Sequence, residues 1–316
     1  MTVFLFPGQG AQYPEMALDL LTEDNGGQKV KQLFSLAKEI IGKDMEDLLR
    51  NSSPEELKKT DVSQPAITLT NLAAAAQLKE KGITAQACAG FSLGEYSALA
   101  AAGVISEEEC LFLVTKRGKA MQAAIDSMQN GGSSAPGMAA VIGLPPEKVE
   151  ALIAEWTKAG LKGLNAANFN SVKQVAVSGS AEALEKAEKL FKEAGAKRFM
   201  RLQVAGPYHS PFMKDAAEEF NTFLDKVDFK EPAIPLFSNV TGKQIQSATE
   251  AKALAKRHIL EGVRWTNQEA ALAALNPDRL LEVGPGRVLE GLWKDTGSTI
   301  PCYNAGTIQK ISELTR

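Results

Sequence analysis

The segment AQACAGFSLGEYSALAAAG, residues 85–103, constrains this chain more than any other. It reads as a short apolar strand, a turn with the pattern Gly-x-Ser-x-Gly at Gly90–Gly94, and an Ala-rich helix. A strand that turns at once into a helix brings backbones close together. Only small residues fit at the flanks of such a turn, and Gly90 and Gly94 supply them. Ser92 between them is then expected on a strained turn, with its hydroxyl at the helix N-terminus, where developing negative charge is favoured. The plainer alternative is a Gly-rich loop in which Ser92 only caps the helix. Hydrolases and transferases share the motif, so the rest of the chain has to decide between them.

Strands alternate with helices on both sides of this segment, which implies a mostly parallel sheet. TVFLF at residues 2–6 is a buried strand ended by Pro-Gly, and SQPAITLTNLAAAAQLKEKG is a long helix ending at Gly82. Ser53 and Glu56 in SPEELKK form a capping box. MQNGGSSAPG at 128–137 breaks the alternation and reads as a boundary loop. After it comes strand-helix-strand-strand-helix-strand over roughly 138–204, the ferredoxin-like plan. The expected fold is α/β. A large α/β-hydrolase-like domain takes residues 1–130 and 206–316, and a ferredoxin-like small domain, 131–205, is inserted in it.

Bulk properties exclude several classes. The net charge of −3 gives no basic footprint for nucleic acid. Three cysteines, Cys88, Cys110 and Cys302, are too far apart for a disulfide framework or a zinc site, and point to a reducing compartment. No apolar run approaches the ~20 residues that span a bilayer, and the N-terminus lacks the features of a signal peptide. A cytosolic, metal-free globular protein is expected.

A serine nucleophile needs a base, and His209 and His258 are the only histidines. His209 lies in the Gly/Pro-rich loop VAGPYHSPFM, the kind of place where catalytic groups sit. His258, among charges in AKALAKRHILEG, reads as a surface residue. His209 is therefore the preferred base, against the bland reading of a loop histidine with a structural hydrogen bond. No acid between 92 and 209 is an obvious third member of a triad, and a backbone carbonyl could orient the imidazole instead. Gln9 in FPGQGAQ follows the first strand, and its flanking Gly8 and Gly10 let backbone amides approach a ligand, as an oxyanion hole requires. A dinucleotide fingerprint would need a third glycine, and a P-loop a lysine. Arg117 shares a helix face with Leu113, Met121 and Ala124. A guanidinium among apolar side chains is costly unless paired, and a ligand carboxylate is a natural partner. A snorkelling arginine, or one paired with a distant segment, is the alternative.

Together these residues resemble the malonyl-CoA:acyl carrier protein transacylases of fatty acid synthesis. The resemblance covers essentially the whole chain through FLFPGQGAQ, GFSLGEYSALAAAGV, RGKAMQ, NFNSVKQVAVSG, GPYHSPFM, SNVTG, GVRW and EVGPGRVL. It implies a Ser92–His209 dyad with the imidazole oriented by a main-chain carbonyl. It also implies an oxyanion hole from the amides of Gln9 and Leu93, and Arg117 holding the malonyl carboxylate. The implied partners are malonyl-CoA and acyl carrier protein, with no nucleic acid, no membrane and no cofactor beyond the thioester substrates, and the chain a monomer. Tyr208, bulky and next to His209, implies malonyl rather than methylmalonyl. Lys197, Arg198, Arg201, Arg287 and Lys294 could face the acidic carrier protein. Two positions depart from the pattern: Phe91, where many relatives have His, and His258, where Gln is frequent. The rival readings are a serine thioesterase or esterase, a polyketide-pathway acyltransferase of the same family, and a non-catalytic binding module.

Overall fold

In the computed structural model, which describes residues 1–21, 27–130, 135–204 and 206–315, the apolar run after Met1 forms β1 (Thr2–Phe6) at the centre of a five-stranded sheet. In chain order there follow α1 (Gln28–Ile41), α2 (Met45–Asn51), α3 (Thr60–Glu80), β2 (Ala87–Gly90), α4 (Gly94–Ala101) and α5 (Glu107–Asn130). Next come β3 (Gly137–Ile142), α6 (Pro146–Lys158), β4 (Leu164–Ser171), β5 (Gln174–Gly179), α7 (Ala181–Glu193) and β6 (Arg198–Arg201). The chain closes with α8 (Lys214–Leu224), β7 (Leu236–Phe237), α9 (Ala248–Arg257), α10 (Trp265–Ala274), β8 (Arg279–Glu282), α11 (Val288–Asp295), β9 (Cys302–Asn304) and α12 (Ile308–Glu313).

The large sheet has the order β7-β2-β1-β8-β9, and all its pairings are parallel. Val3–Phe6 and the whole of β2 are buried, as near-continuous apolar strands covered on both faces must be. The second sheet, β4-β5-β3-β6, is antiparallel throughout. With α6 and α7 it has the expected ferredoxin-like order, so the α/β fold with an inserted ferredoxin-like unit is the one observed. Strand alternation gives this sheet two faces. Ala139, Val141, Val175 and Val177 pack under α6 and α7, while Met138, Ala176 and Leu202 lie on the other side with Tyr208. The proposed boundary loop lies partly outside the described residues, at 131–134, as does the far boundary at 205.

Some expectations need adjusting. The capping box is half made: Ser53 Oγ accepts from the Glu56 amide at 3.1 Å, but the turn it starts is a 3-10 turn at Glu56–Lys58. The last strand of the ferredoxin-like order, β6, is only four residues long and ends at Arg201, short of 204. The C-terminal α11, β9 and α12 were not anticipated.

In open parallel sheets, ligands bind beyond the carboxyl ends of the strands. Here those ends deliver Pro7-Gly8-Gln9 after β1, Phe91-Ser92 after β2 and Ser238-Asn239 after β7 to one place. Helix α3 runs beneath them, buried around nearly its whole circumference although it carries Gln64 and Asn71. No helix among the described residues is long and apolar enough to cross a membrane.

Candidate active site

The turn at Ser92 has the geometry its glycines require. A Cβ on Gly90 would sit 2.0 Å from the Gly94 carbonyl carbon, and one on Gly94 would sit 2.0 Å from the Phe6 carbonyl oxygen. Both contacts are to backbone, so no side chain could move aside. Ser92 itself has φ +48°, and His209 has φ +53°. Left-handed backbone costs a non-glycine residue roughly 1–2 kcal/mol. Strain of this kind clusters at functional sites when surrounding structure holds it in place.

That structure is a buried network the sequence reading missed. Asn239 Oδ1 accepts the Ser92 amide at 2.8 Å, and Asn239 Nδ2 donates to the Gly90 carbonyl at 2.7 Å. Glu95, on the first turn of α4, accepts from the Asn239 amide at 2.6 Å and also from Asn239 Nδ2. Burial raises the Glu95 carboxyl to about 7, partly offset by the Asn239 donors and Arg117. One asparagine thus ties the end of β7 to both sides of the Ser92 turn.

Ser92 Oγ lies 2.7 Å from His209 Nε2. The tautomer follows from the far side of the ring. Nδ1 faces two carbonyl oxygens, His258 O and Glu261 O, each at 3.0 Å. Carbonyls only accept, so Nδ1 carries the proton and Nε2 presents a lone pair to the Ser92 hydroxyl. Main-chain carbonyls therefore take the position a triad acid would occupy. Burial, and next the Arg117 charge, push His209 down to about 4. It is neutral, and competent as a base, far below the usual histidine range. Acylation of Ser92 should therefore stay flat from pH 8 to 5, with its acid limb near 4, in stopped-flow measurements on Glu95→Gln, where the perturbed carboxyl beside the Ser92 turn no longer titrates. A limb centred near 6.5 would contradict this.

The amides of Gln9 and Leu93 donate to no acceptor among the described residues. They are neighbours: the Leu93 nitrogen lies 3.3 Å from where a Cβ on Gly8 would be. Two free amides beside a nucleophile can bind an oxyanion. The Gln9 side chain is held by Gln64 Nε2 at 3.1 Å.

Arg117 is 1% exposed. Nη1 donates to Gln64 Oε1 at 2.9 Å, Nη2 is 3.5 Å from His258 Nδ1, and Nε has no partner. The guanidinium sits 5.6 Å above the Tyr96 ring centroid. Among the described residues no carboxylate forms an ion pair with it. Its burial lowers its pKa, as it would for any cation taken from water without a counter-ion.

His258 is not on the surface as expected; it is 1% exposed. The buried residues Ala251, Leu254, Ala255 and His258 form one helical stripe along α9 and its cap, at spacings of three and four. The neighbouring Lys256 and Arg257 mask that stripe in the sequence. Tyr208 donates to or accepts from Thr60 Oγ1 at 2.7 Å, and its carbonyl accepts from Ser178 Oγ at 2.5 Å. Phe91 packs edge-on against Trp265, with ring centroids 5.4 Å apart.

Gln9, Phe91, Ser92, Met121, Tyr208 and His209 face a cleft of about 560 Å³, whose opposite wall includes Met138, Ala176 and Leu202 of the antiparallel sheet. Arg117 is not among the residues that line this cleft. Of the five cations suggested for a docking face, Arg287 and Lys294 both pair with Glu290, at 2.9 and 2.8 Å. Lys197, Arg198 and Arg201 are exposed and form no ion pair among the described residues.

The acyl transferase domain family matches residues 3–313. The malonyl CoA-acyl carrier protein transacylase of Bacillus subtilis is 37% identical over 291 residues, which is 92% of this chain and 89% of that protein. An acyl carrier protein S-malonyltransferase structure from Vibrio cholerae is 34% identical, with a TM-score of 0.90 over 99% of each chain. A malonyl-transacylase solved in complex with its type II polyketide acyl carrier protein is 35% identical, with a TM-score of 0.89 over 98% of this chain and 97% of that one. With a family match that spans nearly its whole length and a strained serine set against a carbonyl-held histidine, the chain belongs to the acyl transferase domain family.

Proposed function

We propose that this acyltransferase moves a malonyl group from malonyl-CoA to the phosphopantetheine thiol of acyl carrier protein, supplying fatty acid elongation. It acts as a cytosolic monomer, without a metal or organic cofactor. The observation that carries the substrate assignment is Arg117, a buried guanidinium in no ion pair with a carboxylate among the described residues, acting electrostatically on His209. An acyl group that ends in a carboxylate completes that site by bidentate pairing.

Ser92 Oγ attacks the thioester carbonyl and its proton passes to His209 Nε2. The amides of Gln9 and Leu93 stabilise the oxyanion. As the C–S bond breaks, His209 returns the proton to the leaving CoA sulfur, and malonyl-Ser92 remains. The carrier-protein thiol then gives its proton to His209 while its sulfur attacks the ester. Ser92 leaves and recovers the proton. This is ping-pong transfer. The Tyr208 ring, tethered through its hydroxyl to Thr60, crowds a branched α-carbon and favours malonyl over methylmalonyl.

The test is CoA release from malonyl-CoA alone. One CoA per enzyme, with a malonyl adduct on Ser92 by mass spectrometry, is the expected burst, and turnover follows only when holo carrier protein is added. Steady release without carrier protein would make the protein a thioesterase. Absence of an adduct would leave a binding module. Methylmalonyl-CoA in the same assay should load more slowly; equal loading would remove the role given to Tyr208.

A further inference from the structure

Three parts of the site meet on the side chain of His258. Nδ1 faces Arg117 Nη2 at 3.5 Å, Nε2 lies 3.9 Å from Glu95 Oε2 with no hydrogen-bond partner, and the ring stands edge-on to His209, with centroids 5.5 Å apart. The ring also stands at 90° to Tyr96, centroids 5.7 Å apart. Arg117 can only donate, so His258 Nδ1 is the lone-pair nitrogen and Nε2 carries the proton on the Glu95 side.

We propose that the His258 side chain is the positioning residue that holds the Arg117 guanidinium ready for an acyl carboxylate, and so sets how strongly carboxylated acyl groups are preferred over uncharged ones. This rests on the reading of Arg117 under Proposed function. Gln64 Oε1 and His258 Nδ1, which face the guanidinium nitrogens, are neutral acceptors. A neutral acceptor orients a cation without cancelling its charge. Glu95 would cancel it, but the imidazole separates the two: Glu95 makes no ion pair with Arg117 among the described residues and meets the opposite ring nitrogen instead. The side chain is thus both acceptor and spacer. This is separate from the His258 carbonyl, which orients His209 and survives substitution.

The measurement is the ratio of Ser92 acylation kcat/KM for malonyl-CoA to that for acetyl-CoA, with Tm recorded for each protein. His258→Leu removes the acceptor and the spacer, and the ratio should fall by at least about tenfold, as expected for a lost hydrogen bond to a charged group. His258→Gln restores a neutral acceptor and should bring the ratio back to within about threefold of the parent protein. His258→Phe, which also lacks an acceptor, replaces the leucine variant if that one does not fold. An unchanged ratio in His258→Leu, with both substrates losing equally, overturns the proposal. So does a glutamine variant as impaired as the leucine one. Arg117→Ala is run in parallel. If it leaves the ratio unchanged, the carboxylate reading of Arg117 falls. If it collapses the ratio while His258→Leu does not, only the role of His258 falls.

Discussion

Replacing Ser92 with alanine is expected to slow malonyl transfer by at least about ten-thousand-fold, because on the proposed mechanism the group that forms the covalent bond is then gone. No other nucleophile stands in for it. Cys88 and Cys110 are fully buried, and burial pushes both thiols well above their usual range. His209→Ala should cost about a hundred- to ten-thousand-fold, the range for a general base. The double variant should lose little more than Ser92→Ala alone, since groups that act as a unit are not additive. The fold should survive. The turn is held by its backbone amide on Asn239 and by the close approach of Gly90 to Gly94, and neither uses the Ser92 hydroxyl. Intact-mass detection of a malonyl adduct and thermal melts check both halves. A malonyl adduct persisting on Ser92→Ala would place the nucleophile elsewhere.

The parts of this site legible in the sequence are those that obey a local steric or chemical rule. Gly90 and Gly94 announce the turn because a Cβ on either would meet backbone atoms at 2.0 Å. His209 was accessible by elimination from two histidines, and Arg117 because a charge on an apolar helix face requires a reason. The β-α-β-β-α-β order was legible because each helix and strand there carries its own periodicity. Asn239 obeyed no local rule. It acts on Ser92 from 147 residues away and follows a two-residue strand, β7, too short to show a period. Glu95 looked like an ordinary acid in a first helical turn, and only its burial makes it the anchor of Asn239. His258 failed for a different reason. Its stripe with Ala251, Leu254 and Ala255 has helical spacing, but two neighbouring cations outweighed it. Of the elements after β8, β9 and α12 were missed because they span only three and six residues.

Arg117→Met should separate substrate choice from stability. Malonyl loading is expected to fall by about a hundred-fold or more, the worth of a desolvated guanidinium–carboxylate pair. Acetyl loading, which presents no carboxylate, should fall far less or improve. If both fell equally, Arg117 would be a structural residue. Stability argues in the same direction. A buried guanidinium whose Nε lacks a hydrogen-bond partner and which forms no ion pair among the described residues gives the folded state little in return for its desolvation. Methionine fills similar volume without that cost, so Tm should be equal or higher, within about 1 kcal/mol. Glu95, freed from the Arg117 charge, should be protonated more easily still, because that charge is one of the influences lowering its pKa. The Asn239 anchor would then weaken as pH falls, beginning above the value of about 7 that holds with Arg117 in place, since a neutral carboxyl accepts hydrogen bonds less strongly. The residual activity of Arg117→Met should accordingly acquire an acid limb above that of the parent protein. A stable variant that has lost malonyl preference would mean that this arginine is retained at a cost to the fold, for the sake of the carboxylate it binds.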